Sequence, residues 1–310
     1  MRHLRVGSVT TDSKLHITIR TMNKLFLGIL ISIFSHPTFA QELQTIPVRT
    51  AKDLHTFFQY QAGNKPIISG HRGGTEKGFP ENSIEAFENT LKYTQAFYEI
   101  DPRLTKDSVV VLLHDATLDR TTTGKGRLSD YTYEELKQFK LKDVHGQVTP
   151  YCIPTLAEAI EWARGKTVLN LDQKDVPIAM TAALIKKHKA EAFVMVTVHH
   201  ADQAAFYYQQ NKNQMFSAFV KTPEALKPYE DAGIPASQMI AYIGPDIKPE
   251  NQVMYKLLHA KGIRCMISAA PTYDKLKTKE ERARAYRAII EDGADVLESD
   301  LPIEVGEAIE

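Results

Sequence analysis

Short runs rich in β-branched and aromatic residues recur at 66–70, 97–101, 109–114, 167–172, 193–198, 215–220, 239–243, 264–268 and 295–299. Between them lie amphipathic helical patterns at 83–93, 132–139, 155–164, 177–188, 201–210, 250–261 and 280–292. Alternation of this kind predicts a parallel sheet covered by helices. Nine strands are one too many for an eight-stranded barrel, and the connection at 104–108 resolves the count. It is far too short for a parallel crossover, which needs about a dozen residues. The run at 109–114 therefore returns antiparallel. The expected fold is α/β, a (β/α)8 TIM barrel with a short β-hairpin after the second strand. Asn82-Ser83 and Pro154-Thr155 sit where helices begin, and Gly165, Gly233, Gly262 and Gly293 follow helical runs as C-terminal caps do.

The barrel does not use the whole chain. Residues 25–34 read LFLGILISIF, an uncharged apolar run with Lys24 before it and Pro37-Thr38-Phe39-Ala40 after it. A basic flank, a short apolar core and a small residue at the cleavage point describe a secretory signal peptide. The run is too short to span a bilayer, so no stable membrane anchor is expected. Met22 is the expected start, residues 1–40 the signal peptide, and 41–310 a single barrel domain. The expected location is exported, periplasmic or extracellular. The full chain of 310 residues carries 38 basic and 38 acidic side chains. Removing 1–40 takes away five basic and one acidic residue, leaving 33 against 37, a net −4. That balance gives no polyanion-binding surface, and no nucleic-acid partner is expected. Oligomeric state is not readable. Cys152 and Cys265 lack the spacing of a zinc site and are expected to be free, buried thiols.

The polar residues cluster where strands end, the face that carries active sites in such barrels. The first strand runs into His71-Arg72-Gly73-Gly74, the second into Glu99-Ile100-Asp101, the hairpin strand into His114-Asp115, and the next barrel strand into Asp172-Gln173-Lys174. Four charged caps on one rim are hard to explain as stability, because a buried unpaired charge is costly. Glu99 and Asp101 are two apart, as are Asp172 and Lys174, so each pair shares a strand face. Three convergent carboxylates with no cysteine nearby suit one divalent cation, Mg2+ or Ca2+. His71 and His114 offer a base and an acid near neutral pH. Arg72 and Lys174 add positive charge that suits an anionic substrate, phosphate above all. These residues point to metal-assisted phosphoryl transfer.

The strings Gly70-His71-Arg72-Gly73, Pro80-Glu81-Asn82-Ser83, Glu99-Ile100-Asp101 and Leu113-His114-Asp115 resemble the glycerophosphodiester phosphodiesterase family. A weaker likeness continues through Leu169-Asn170-Leu171-Asp172-Gln173-Lys174 and Glu298-Ser299-Asp300-Leu301-Pro302. The resemblance implies a (β/α)8 barrel, a divalent cation, and hydrolysis of glycerophosphodiesters to glycerol 3-phosphate and an alcohol. It places paired catalytic histidines on His71 and His114, metal ligands on Glu99 and Asp101, and phosphate contacts on Arg72 and Lys174. The third metal carboxylate, usually Glu in the family, falls on Asp172, one methylene shorter. Asp at this place resembles sphingomyelinase D-type barrels. Where the family often ends one strand in Trp-Thr-Val-Asn, this chain has Cys265-Met266-Ile267-Ser268. In the family the nucleophile can be the substrate's own glycerol hydroxyl. The sequence does not decide which histidine is acid and which base.

Further residues have second readings. Glu81 either contacts the ion or substrate or anchors its turn, with Asn82 or Ser83 capping the helix. Asp115 is expected to orient the His114 loop. His199 or His200 could reach the pocket. Asp300 is expected to close the barrel through backbone hydrogen bonds, and Trp162 to pack. Thr121–Gly126 lacks the spacing of a P-loop, which argues against nucleotide binding. Two competing functions use the same residues. One is a phospholipase or lyase on the same barrel. The other is a catalytically silent barrel that binds a phosphorylated ligand.

Overall fold

The computed structural model describes residues 41–309, so the expected signal peptide at 1–40 lies outside the described residues. In chain order the strands are β1 (Ile67–His71), β2 (Ala96–Ile100), β3 (Pro102–Leu104), β4 (Val110–Leu112), β5 (Leu169–Leu171), β6 (Val194–Val198), β7 (Met215–Phe219), β8 (Met239–Gly244), β9 (Arg264–Ser268) and β10 (Val296–Ser299). Eight of them close into a barrel in the order β1-β2-β5-β6-β7-β8-β9-β10, with every neighbouring pair parallel. The remaining two pair antiparallel, Pro102 opposite Leu112 and Leu104 opposite Val110. This is the (β/α)8 barrel with its hairpin, as the five-residue connection requires.

The helices are α1 (Ala51–Phe58), α2 (Ile84–Leu91), α3 (Tyr133–Leu136), α4 (Leu156–Ala163), α5 (Ile178–Lys187), α6 (Ala201–Gln210), α7 (Pro223–Asp231), α8 (Asn251–His259), α9 (Lys279–Asp292) and α10 (Pro302–Ile309). Side-chain caps start many of them. Thr50, Thr155 and Thr278 each accept from the backbone three residues on, and an acid there answers in a capping box. Each such cap contributes about 1 kcal/mol. Three helices have no counterpart among the helical patterns of the sequence. α7 begins on Pro223 and holds Pro228 inside it, and α10 begins on Pro302; proline breaks the pattern that periodicity detects. α1 is a short helix of 8 residues that rests on its capping box.

Two cores hold the molecule. The main one lies between the barrel and its helices, where Phe58, Phe87, Phe97 and Tyr98 are wholly buried. Trp162 packs against Phe87 and Tyr98, as expected. A second core of Val111, Leu113, Leu118, Leu128, Leu136, Leu141 and Ile153 supports the excursion between β2 and α4. Among the described residues both cysteines are free. Cys265 is buried, but Cys152 is only half-buried, because it sits on the edge of the excursion with its sulfur 3.2 Å from Lys140 Nζ.

The turn after β1 carries unusual backbone. Arg72, Gly73 and Gly74 all have positive φ, at 55°, 92° and 97°. A Cβ on Gly73 would lie 2.4 Å from the Phe87 ring, so only glycine fits there. Arg72 is held in its left-handed conformation from both sides. Its N–H donates to the Glu99 carbonyl at 2.9 Å, and its carbonyl accepts from Asn82 N–H at 2.7 Å.

Candidate active site

Side chains that alternate along the strands point into the barrel, and near their C-terminal ends the inward ones are polar. His71 pairs in register with Glu99, and Glu99 with Asn170. A cavity of about 220 Å3 opens there, lined by His71, Glu99, Asp172, His199, Phe219 and Glu298 among others.

Carboxylate oxygens of Glu99, Asp101 and Asp172 lie within 4.8 Å of one another. Asp101 is fixed by Asn82, whose amide donates to Asp101 Oδ2 at 2.7 Å while its Oδ1 accepts from Asp101 N–H at 3.0 Å. Ser83, not Asn82, caps α2, which leaves Asn82 for this task. Glu99 Oε2 and Asp101 Oδ1 are buried, and Glu99 Oε2 has no hydrogen-bond partner. His71 Nε2 stands 3.8 Å from the first. Lys174 Nζ lies 3.0 Å from the second as a charge contact, and 2.5 Å from Asp172 Oδ2.

The crowding shows in the proton affinities. Burial and the Asp101 charge push the Glu99 carboxyl well above the usual range. Burial would raise Asp172 too, but His199 and Lys174 outweigh it and hold the carboxyl at about 2. Burial works against a charged Lys174, yet Asp101 and Asp172 raise its affinity overall. Burial likewise lowers His71, and the hydrogen bond to Asp300 with the charges of Glu99 and Glu298 reverses this, raising it to about 9.

A hard divalent cation fits this donor set. All ligand atoms are oxygens, and Glu99 Oε2 is a buried, unpaired polar atom that a cation would satisfy. The other cluster of suitable atoms, His259, Cys265 and Asp295, is different. There Asp295 Oδ2 accepts from Cys265 N–H at 2.8 Å and pairs with His259 Nε2 at 2.7 Å, and Tyr60 stacks on the imidazole. Its polar atoms are already satisfied.

The two histidines are held alike. His71 Nδ1 lies 2.6 Å from Asp300 Oδ1, so the Asp300 side chain does more than the backbone closure expected of it. Its carbonyl also accepts from Thr75, and its own N–H donates to the half-buried Asp274. His114 Nδ1 lies 2.8 Å from Asp115 Oδ1. Each histidine is thus left with Nε2 unclaimed by its aspartate. His114 is not among the residues lining the cavity. It connects to the site through a chain of charges. Arg120 donates to Asp115 at 2.7 and 2.9 Å and to Glu81 at 2.7 and 2.9 Å. Glu81 in turn accepts from Arg72 at 3.2 Å, and Arg72 Nε stands 3.5 Å from Asp101 Oδ2. Glu81 therefore anchors two arginines and is outside the three-carboxylate cluster. His199 Nε2 lies 3.4 Å from Asp172 Oδ1. His200 is exposed at the start of α6 and does not line the cavity.

Several cavity residues were not singled out from sequence: Asn170, Thr197, Ser217, Ser268 and Glu298. Their signal was present. Each is a polar residue inside an apolar strand, as in LNL, VTV, FSA, MIS and LES. A polar residue at such a position costs stability unless it faces a polar space. Asp300 was expected only to close the barrel, and Arg120 was not singled out, because their side-chain partners are distant in sequence.

The comparisons agree with the geometry. Residues 71–227 match the model of the glycerophosphoryl diester phosphodiesterase family. A glycerophosphodiester phosphodiesterase of Caldanaerobacter subterraneus is 39% identical over 112 residues, 36% of this chain and 46% of its own length. The chain thus spans about half the length of such curated relatives. A crystal structure of a glycerophosphoryl diester phosphodiesterase from Parabacteroides distasonis is 58% identical, with a TM-score of 0.85, over 86% of this chain and 94% of that one. An Oleispira antarctica phosphodiesterase in complex with the product sn-glycerol-3-phosphate shares the fold at 21% identity, with a TM-score of 0.63 over 84% of this chain and 99% of that one. A barrel closed around His71, Glu99 and Asp101, and a 58% identical partner along nearly its whole length, lead to one conclusion: the chain belongs to the glycerophosphoryl diester phosphodiesterase family.

Proposed function

We propose that this chain hydrolyses glycerophosphodiesters to glycerol 3-phosphate and an alcohol, using one divalent cation, Mg2+ or Ca2+. The observation that carries the reading is the convergence of Glu99, Asp101 and Asp172 oxygens within 4.8 Å of one another, with Glu99 Oε2 buried, without a hydrogen-bond partner and 3.8 Å from His71 Nε2. Stability alone gives no reason to bury that oxygen unsatisfied. Glu99, Asp101 and Asp172 would hold the ion. When bound it would neutralise charge on the phosphate oxygens.

The chain's own residues supply the rest. Arg72 and Lys174 place positive charge beside the phosphate. Asp300 and Asp115 hold Nδ1 of His71 and His114, which fixes each tautomer and presents Nε2. One imidazole takes a proton from the attacking hydroxyl at Nε2. The other gives its Nε2 proton to the leaving alkoxide as the phosphorus–oxygen bond breaks. The Oleispira antarctica protein of similar fold, in complex with sn-glycerol-3-phosphate, supports the choice of product.

His71→Ala and His114→Ala are expected to lower turnover by about a hundredfold or more each, with unchanged circular dichroism. Normal glycerol 3-phosphate release by either variant would overturn the roles. A cyclic phosphate as the stable product would replace the hydrolase with a lyase. The apolar run behind Lys24 also supports export, to the periplasm or beyond. A mature N-terminus at Gln41 is expected by mass spectrometry, and retention of residues 25–34 in the exported protein would contradict it.

A further inference from the structure

The cavity holds one cation that the chemistry above does not use. Lys221 lies two residues past β7, exposed at the mouth of the cavity. Arg72, Arg120 and Lys174 all have carboxylate partners. Among the described residues Lys221 has no ion-pair or hydrogen-bond partner. Its Nζ instead stands 5.3 Å from the centre of the Phe219 ring and 5.2 Å from that of Tyr242. Those two rings form a tilted pair with centroids 4.7 Å apart. The pair adjoins the reacting centre, because the His199 ring that reaches Asp172 packs on Phe219 at 4.2 Å. A group esterified to a phosphate held at the carboxylates would meet Phe219, Tyr242 and Lys221 next.

Two aromatic faces in that place would ordinarily suit a quaternary ammonium. Here the Lys221 ammonium already lies over them, so a second cation meets repulsion and an anion meets an unpaired partner. There is room for a large group. Lys221 also borders a second hollow, of about 590 Å3, lined by Pro223, Ile243, Lys248, Glu224 and Glu250 among others.

We propose that Lys221 sets head-group selectivity, favouring glycerophosphodiesters whose alcohol carries a second negative charge over those whose alcohol carries a quaternary ammonium. This rests on the phosphodiesterase reading above.

The test compares three substrates, glycerophosphoinositol 4-phosphate, glycerophosphoinositol and glycerophosphocholine. The first two differ only by the extra phosphate. An exposed charge pair changes kcat/KM by about fivefold. The wild type is therefore expected to prefer the phosphorylated inositol by that factor, and to place glycerophosphocholine last. Lys221→Met should bring the ratio of the two inositol substrates near unity and Lys221→Glu should reverse the order, while Lys221→Arg keeps it. Ratios that do not move in Lys221→Met would overturn the inference. So would an equal loss on all three substrates, which would place Lys221 on the scissile phosphate. Failure of the wild type to hydrolyse any of the three, with cation present, would instead overturn the phosphodiesterase reading.

Discussion

His71 Nδ1 and Asp300 Oδ1 are 2.6 Å apart, joining the ends of the first and last strands of the barrel at the cavity that His71 lines. The bond fixes which imidazole nitrogen faces the cavity. Asp300 is itself fixed, since its N–H donates to Asp274 Oδ2 at 2.6 Å. Asp300→Asn should keep the fold and the spacing but lose the carboxylate. Loss of a carboxylate that orients an acid–base histidine can cost up to about 10,000-fold. Steady-state kinetics should show that loss in kcat with little change in KM. A kcat equal to the wild type would show that Asp300 only closes the barrel.

Arg120 and Asp115 give a pH-dependent prediction on stability. The Arg120 hydrogen bonds, against the opposing effect of burial, hold the Asp115 carboxyl well below its ordinary value. A carboxyl depressed in the folded state stabilises above the unfolded value, and that stability is lost as pH falls through the folded one. Asp115→Asn should therefore lower unfolding free energy by about 1 kcal/mol at about pH 7. The gap should narrow only as pH falls below the ordinary carboxylate range and close in strong acid, once pH has fallen through the folded value. Urea unfolding at neutral pH and in strong acid reads it. A gap of the same size in acid would show that the charge is not what stabilises.

Glu99 is expected to be a liability to the ion-free protein. Its carboxyl is buried against Asp101, and like charges at close range repel. Glu99→Gln keeps the shape and removes the charge. The variant should melt at or above the wild-type temperature in chelator, yet gain little when Mg2+ or Ca2+ is added. The wild type should gain stability from the ion by mass action. A variant that is less stable in chelator and gains as much from the ion would remove Glu99 from the ligand set.

Barrel and site were legible in the sequence to different depths. The eight parallel strands followed from the spacing of apolar runs, and the hairpin from a connection too short to cross over. His71, Glu99, Asp101 and Asp172 were legible because each caps a strand, and strand ends share a rim. The partners that orient them were not. Asp300 lies 229 residues from His71, and Arg120 lies 39 residues from Glu81; local pattern holds no trace of such pairs. Glu81 had two readings from sequence, and neither named the two arginines that it holds. The helix at 223–231 was hidden by its own prolines, although Pro223 occupies the first turn, where proline is tolerated.

The cysteines separate by reactivity. Cys265 is fully buried, and burial with the nearby Asp295 charge pushes its thiol far above the usual range. Cys152 is half-buried beside Lys140. A thiol reagent should label Cys152 in the native protein and Cys265 only after unfolding. Two labelled thiols without denaturant would contradict the burial of Cys265, and none after denaturation would reveal a disulfide.

The most direct measurement is release of glycerol 3-phosphate by protein stripped of metal, followed by stepwise return of Mg2+ or Ca2+. Turnover should be absent after stripping, return with one of the ions, and stay absent in Asp101→Asn with either. Full turnover in the presence of chelator, or an unimpaired Asp101→Asn, would show that the three carboxylates do not form the centre of the site.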